Sequence, residues 1–322
     1  MNKKDLKLIF ELDSNSRASY SKIGKKIRMS EQLISYKIKS FQKKGVIQGV
    51  CPLIDYSRFS LLAFLVFFKV RFKSEQSYTK LLEELKGHEN VLSIMESDGK
   101  YDLLVIFASK NPSSFNKKLK ILVSDYPQLK DWMILTSVVD HHYLRNYLLG
   151  KDGESDVILG GDRDEVPVDD LDFYILHALI MGKRTILEIA EYARSSPKTI
   201  LIHLKWLQEQ HVLKGYRLLL NTRRMEISSN AILIKYRHIT AEQEDEFRHF
   251  CKRDPNIIQF TKTFGEWDGV LYIETKNRVE FRRVSLQLRE RFDDIIEDID
   301  NFRIFAIPKK QFLPSEILLE PS

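Results

Sequence analysis

The chain has 322 residues, 43% of them hydrophobic and 30% charged, with a formal net charge of +6 and a pI near 9.0. That length suits two or more domains, and 22 Gly plus Pro in this background excludes collagen-like, low-complexity and largely disordered chains. Cys51 and Cys251 have neither metal-ligand spacing nor the density of a disulfide framework, and the longest apolar run, 61–68, is too short to cross a bilayer. The N-terminal MNKKDLKLIF turns polar again by Glu11, too soon for a signal-peptide apolar region, so a cytoplasmic protein with no membrane partner is expected.

In chain order, apolar residues first recur at helical spacing: Leu6, Ile9 and Leu12, then Ile23 and Ile27, then Leu33, Ile34, Ile38 and Phe41. This predicts three short helices, with Ser19 and Ser30 as N-caps and Gly24 and Met29 allowing a tight joint between the second and third. Gly45-Val46-Ile47-x-Gly49 then predicts a turn into a short extended wing, completing a helix-turn-helix with a wing. The period changes next: strand 60–72, helix 76–87, strands 90–98 and 101–109 joined at Gly99, helix 113–124 and strand 129–140. His141 and His142 are expected to begin a polar helix end.

Residues 150–170 hold four Gly and eight acidic residues against two basic ones, and read as an acidic linker. Three helices follow, punctuated by a Thr185-x-x-Glu188 capping box and by Pro197 after the cap Ser196, with a second wing near His211 to Gly215. Elements at 230–239, 241–252, 256–264, 267–275, 278–291 and 295–307 repeat the β-α-β-β-α-β order.

The recurrence is a duplication. Shifting by 166 lays 23–50 on 189–216 with eight identities in 28 positions, against roughly two from average composition. The same shift carries Gly99 and Asp102 onto Gly265 and Asp268. The expected fold class is α+β: a winged helix-turn-helix plus a ferredoxin-like α/β sandwich, present twice in one chain. The expected domains are 1–55, 56–149, an acidic linker at 150–169, 170–222, and 223–322 including a C-terminal tail. The open face of each sheet must be buried by a partner.

The charge is unevenly placed. Residues 1–50 carry twelve basic and four acidic side chains, net +8, whereas 170–216 carry six and five, net +1. A lysine-rich helical face alone is ordinarily a solvated surface; three helices at turn spacing, a wing and this local excess together point to phosphate contact with double-stranded DNA. On the third helix Gln32, Ser35, Tyr36, Lys37 and Lys39 face outward, the polar ones toward base edges; Arg17, Lys22, Lys39 and Lys43 suit phosphates. In the second copy Leu201 and Ile202 replace Ser35 and Tyr36; an apolar pair there could touch thymine methyls, but packing against protein is the expectation, leaving that unit a weak or retired DNA reader.

The stretch 5–50, with Arg17, Ile23, Ser30, Ile34, Lys37, Ile38, Gly45, Ile47 and Gly49, resembles the winged helix-turn-helix of the Lrp/AsnC family of feast/famine regulators. SDGKYDLLVIF (97–107) is similar to the signature turn of that family's effector module, the RAM domain. The resemblance implies a sequence-specific transcriptional regulator. It also implies an amino acid or small-metabolite effector near Ser97, Gly99, Asp102, Thr263, Gly265 and Asp268, and a homo-oligomer of at least two chains. A hairpin's own turn chemistry also accounts for Gly followed by Asp three residues on. The departure from the family is the tandem fusion.

Siroheme decarboxylases share this two-module architecture and form the alternative function. Their Val-Thr-His-x-Tyr pattern near the second sheet strand is replaced here by VLSIMESD and IIQFTKTF, which hold no histidine. A further alternative is a protein-interaction co-regulator. No Gly-rich phosphate loop, His-Glu-x-x-His or Cys/His cluster occurs, so no enzyme activity, cofactor or metal is expected. His203 and His211 are read as surface or packing, and Trp206 and Trp267 as core.

Overall fold

The computed structural model describes residues 1–153, 155–314 and 317; Glu154 of the expected linker and tail residues 315–316 and 318–322 lie outside them. Three helices open the chain, α1 (Lys3–Ser14), α2 (Tyr20–Ile27) and α3 (Glu31–Lys43), followed by the wing strand β1 (Ile47–Ile54). The first sheet module is β2 (Leu62–Val70), α4 (Glu75–Gly87), β3 (Val91–Asp98), β4 (Leu103–Ser109), α5 (Pro112–Asp125) and β5 (Leu129–His142). A short strand, β6 (Val157–Gly160), lies within the expected linker. The second copy runs α6 (Asp170–Ile180), α7 (Ile186–Tyr192), α8 (Pro197–Glu209) and β7 (Leu213–Leu220). It ends with β8 (Ser228–Tyr236), α9 (Ala241–Arg253), β9 (Ile257–Gly265), β10 (Gly269–Thr275), α10 (Arg278–Arg291) and β11 (Ile296–Lys310). The α+β class and the duplicated helix-turn-helix plus ferredoxin-like architecture are as the pattern predicts. His141 and His142 are not a helix end: β5 runs on through both, and both are buried.

The duplication extends to individual caps. At the same shift of 166, Ser19 and Thr185 cap α2 and α7, Ser30 and Ser196 cap α3 and α8, Ser74 and Thr240 cap α4 and α9, and Asn111 and Asn277 cap α5 and α10. Each side chain accepts the backbone N–H three residues on, satisfying one of the open donors of its helix. Arg28 and Arg194 both take the left-handed conformation after their short second helices, and so do Gly45 and His211 at the entry to the wing. His211 shows that the chain accepts a strained side chain there; Gly45 avoids that cost.

The described chain divides into two compact units. One comprises Met1–Val50, Val138–Ile158 and Tyr216–Phe305, and the other Cys51–Ser137, Leu159–Gly215 and the chain from Ala306. Each unit therefore groups the helical head of one copy with most of the sheet of the other.

In the unit built on the first sheet, the antiparallel order is β5-β2-β4-β3, with Phe64 opposite Phe107, Val66 opposite Ile134 and Ile94 opposite Val105. Phe64, Val66, Phe68, Leu81, Leu85, Phe115 and Leu119 form its core beneath α4 and α5. Burying each such side chain contributes about 1.5–3 kcal/mol. In the other unit the equivalent order is β11-β8-β10-β9, with Gly269 between Ile234 and Lys262, and Phe302 opposite Ala231. Its core gathers Ile232, Ile234, Phe247, Cys251, Phe260, Val284 and Leu288, with Phe247 edge-on to Phe260 and Phe292.

Candidate nucleic-acid interface

The first head is positioned by a core shared with Tyr147, Leu148, Leu218, Leu220 and Ile227: Leu8, Ile9 and Leu12 of α1, Ile23 of α2, Ile34, Ile38 and Phe41 of α3, and Val46 and Ile47 of the wing are buried with them. Gly24 is required at the α2–α3 joint, since a Cβ there would sit 2.4 Å from the Met29 carbonyl oxygen. Leu33, counted with the apolar spacing, does not join this core; it is 43% exposed beside Tyr36, which is 70% exposed.

The sequence-predicted DNA residues separate into two groups. Gln32, Tyr36, Lys22, Lys39 and Lys43 are exposed, Ser35 is half-buried, and among the described residues Lys22, Lys39 and Lys43 have no ion-pair partner. Lys37 and Arg17 are engaged inside the protein. Lys37 Nζ lies 2.5 Å from Asp5 Oδ1, and Arg17 donates to the Tyr216 hydroxyl at 2.9 Å while its guanidinium lies 5.3 Å from that ring's centre. Burial pushes the Tyr216 phenol up and Arg17 opposes it, so this hydroxyl stays protonated.

The second head differs where it would meet DNA. Leu201 and Ile202 are 55% and 59% exposed, so they do not pack against protein within this chain as their apolarity suggests. His203 is not an idle surface residue: its Nδ1 lies 2.8 Å from Asp172 Oδ1 and 3.9 Å from Asp169 Oδ1. Burial raises the Asp172 carboxyl, and the hydrogen bond from His203 offsets part of that rise. Trp206 is half-buried and Trp267 buried.

The sequence reading missed the mounting of the first head. Arg145, beyond β5, donates through Nη1 to Asp13 Oδ1 at 2.8 Å and through Nε to Glu274 Oε2 at 2.9 Å. Asp13 Oδ1 also accepts the Leu218 N–H, and Glu274 Oε2 accepts the Tyr147 hydroxyl at 2.6 Å. Burial opposes the charge on Arg145, yet Asp13 and Glu274 hold its guanidinium above the ordinary arginine range. Two buried carboxylates straddling one arginine thus tie α1 to β10. The signal available in sequence was a lone Arg in an aromatic stretch, which no spacing rule connects to Asp13 or Glu274.

The predicted effector residues sit at the two equivalent turns and are largely occupied. Ser97 and Thr263 are buried and donate to the carbonyls of Tyr101 and Trp267. Asp102 Oδ2 accepts the Val70 N–H at 2.7 Å and Asp268 Oδ2 the Tyr236 N–H at 2.8 Å, each with a lysine, Lys69 or Lys235, alongside. Gly99 and Gly265 both have positive φ, which the turns need.

His141 at the end of β5 pairs through Nδ1 with Asp156 at 3.0 Å and stacks against Phe260 of β9. Neither β3 nor β9 contains a histidine.

Residues 1–48 match the family described as winged helix-turn-helix DNA-binding. The chain is 28% identical over 117 residues to the HTH-type transcriptional regulator Ptr1 of Methanocaldococcus jannaschii, covering 36% of this chain and 76% of Ptr1. It is 27% identical over 122 residues to the HTH-type transcriptional regulator FL11 of Pyrococcus horikoshii, covering 37% of this chain and 78% of FL11. Across nearly the whole length the fold is that of the siroheme decarboxylase NirDL: TM-score 0.61, 13% identity, 97% of this chain and 94% of that one. At that identity the likeness concerns fold alone.

Proposed function

We propose that this chain, an Lrp/AsnC-type DNA-binding transcriptional regulator, reads duplex DNA through its first helix-turn-helix and not its second. The observation that carries the reading is the face of α3. Gln32, Leu33 and Tyr36 stand exposed at its N-terminal half, and Lys22, Lys39 and Lys43, all without an ion-pair partner among the described residues, flank it. Polar and aromatic groups so placed suit base edges in a major groove, and unpaired ammonium groups suit the phosphates on either side. One reading head per chain makes a palindromic operator a two-chain site, so a homo-oligomer belongs to the proposal. The division into domains at 1–55, 56–149, 170–222 and 223–322 belongs to it too, as do the effector turns at Gly99 and Gly265, no catalysis, and a cytoplasmic location. Among the described residues no helix is long and apolar enough to cross a membrane.

In-vitro selection of bound duplexes, followed by gel shift at several salt concentrations, tests this. Lys39→Ala and Lys43→Ala should each lower the salt slope by about one, and Tyr36→Ala should relax base preference. Wild-type affinity and slope in all three would sink the assignment to α3. The exposed Leu187, Leu201 and Ile202 on the second head favour a protein contact there; if so, Leu201→Ser/Ile202→Ser lowers the oligomer mass in sedimentation without altering the affinity of the first head.

A further inference from the structure

The two copies differ in chemistry at one end of their sheets. In the second, a cavity of about 550 Å³ is lined by four cationic side chains, Arg223, Lys276, Arg278 and Arg303. Among the described residues none of the four has an ion-pair partner, and one acidic residue, Glu226, lines the same cavity. Thr275, also in the lining, is fully buried and its hydroxyl has no hydrogen-bond partner. An orphaned buried hydroxyl costs about 1–3 kcal/mol, so one kept beside a cationic cavity calls for an acceptor.

The first copy provides an internal control. At the shift of 166, Arg223 and Arg278 correspond to Ser57 and Pro112, while Arg303, opposite Asn230, takes the place of Thr136, opposite Phe64; only Lys276 keeps its charge, as Lys110. Asn230 corresponds to Phe64, whose ring stacks on Phe115 at 4.1 Å and fills the equivalent space. Phe115 survives in the second copy as Phe281, a wall of the cavity. The second copy therefore holds Asn230 and three arginines at a place where its twin holds a buried, stacked ring and uncharged side chains. Packing does not account for that pattern, because removing a stacked ring from a core is destabilising and clustered like charges repel.

We propose that this cavity binds a small, multiply charged oxyanion, a phosphorylated or polycarboxylate metabolite. Four cations against one acid leave an excess of three positive charges, which favours a multiply charged anion, and arginine forks present paired N–H donors to carboxylate or phosphate. The N-terminus of α10 adds little, since Asn277 caps it and Glu280 accepts the Lys276 N–H there. The place is apt for an effector: Thr275 directly follows Glu274, the carboxylate on which Arg145 mounts the first head. Binding here is separate from the DNA reading and is measured without DNA.

The experiment is isothermal titration and thermal unfolding of the full chain with pyrophosphate and with citrate, each against sodium chloride at equal ionic strength. The expected result is saturable one-to-one binding of at least one of the two and a raised melting temperature that chloride does not reproduce. The preferred probe distinguishes the phosphorylated from the carboxylate class. Arg278→Ala and Arg303→Ser should each weaken binding by roughly tenfold, and Asn230→Phe, which restores the first copy's plug, should abolish it. Since Asn230→Phe disturbs packing, the two exposed arginine variants carry the decision. Absence of saturable binding of either probe, or unchanged affinity in both arginine variants, overturns the proposal. So does a result in which those variants alter only the salt slope of DNA binding, because the arginines would then be backbone contacts.

Discussion

Lys37 and Asp5 form an ion pair between α3 and α1, Nζ to Oδ1 at 2.5 Å, and at the equivalent place His203 Nδ1 hydrogen-bonds Asp172 between α8 and α6 at 2.8 Å. In both copies the carboxylate is the third residue of the first helix, sharing a capping box with Asn2 or Asp169. The pair is thus a joint of the fold, inherited by both heads, and Lys37 serves α1 before it can serve DNA.

Lys37→Ala should therefore act on stability more than on DNA. We expect a loss of about 0.5–1 kcal/mol in urea unfolding, larger than for a fully exposed pair because both side chains are partly covered. The salt slope of DNA binding should fall less than in Lys39→Ala. A fall equal to that of Lys39→Ala, with unchanged unfolding, would return Lys37 to the phosphate contacts.

Arg145→Ala removes the shared partner of Asp13 and Glu274 and leaves two buried carboxylates facing each other. A loss of about 3–5 kcal/mol is expected from such an uncompensated buried charge. Adding Glu274→Gln should recover part of it. Chemical denaturation of both variants decides, and an additive double variant would disprove the clamp.

Asp268→Ala should cost about 1–2 kcal/mol, since the Tyr236 N–H loses a charged acceptor, and Asp102→Ala should do the same to the Val70 N–H. Hydrogen exchange at those two amides is the direct measure. Unaltered protection would argue that these carboxylates are held for a ligand and not for the strand.

Lys309 has a pH signature. Its ammonium donates to the carbonyls of Lys86 and His88, and burial lowers it from 10.5 to about 8. Between these values the unfolded chain holds a proton that the folded chain has released, so stability rises as pH goes from about 8 toward 10.5 and falls again on the way down. Thermal unfolding across that window should show the rise, and Lys309→Met should flatten it.

Local pattern carried much of this. Helical spacing of Ile34, Ile38 and Phe41, the caps Ser19 and Ser30, the Gly99 turn and the 166-residue shift were legible because each depends on residues near in sequence or on comparison of the chain with itself. The strand limits of β5 were less so: His141 and His142 look polar, and only the Asp156 carboxylate beside His141 explains its place inside. Leu201 and Ile202 stand exposed within this chain, and their apolar character does not by itself specify what that helix face meets.

The sequence by itself determined the elements, their duplication and the concentration of positive charge on the first head, because capping, periodicity and net charge are local or additive properties. Only the tertiary structure decided which of those charges are engaged internally, that Arg145 joins Asp13 to Glu274, and that an open cavity borders Asn230 in the second sheet where the first holds Phe64. These depend on contacts between residues more than a hundred positions apart, or on the space one ring fills, and such contacts are set by packing and not by spacing along the chain.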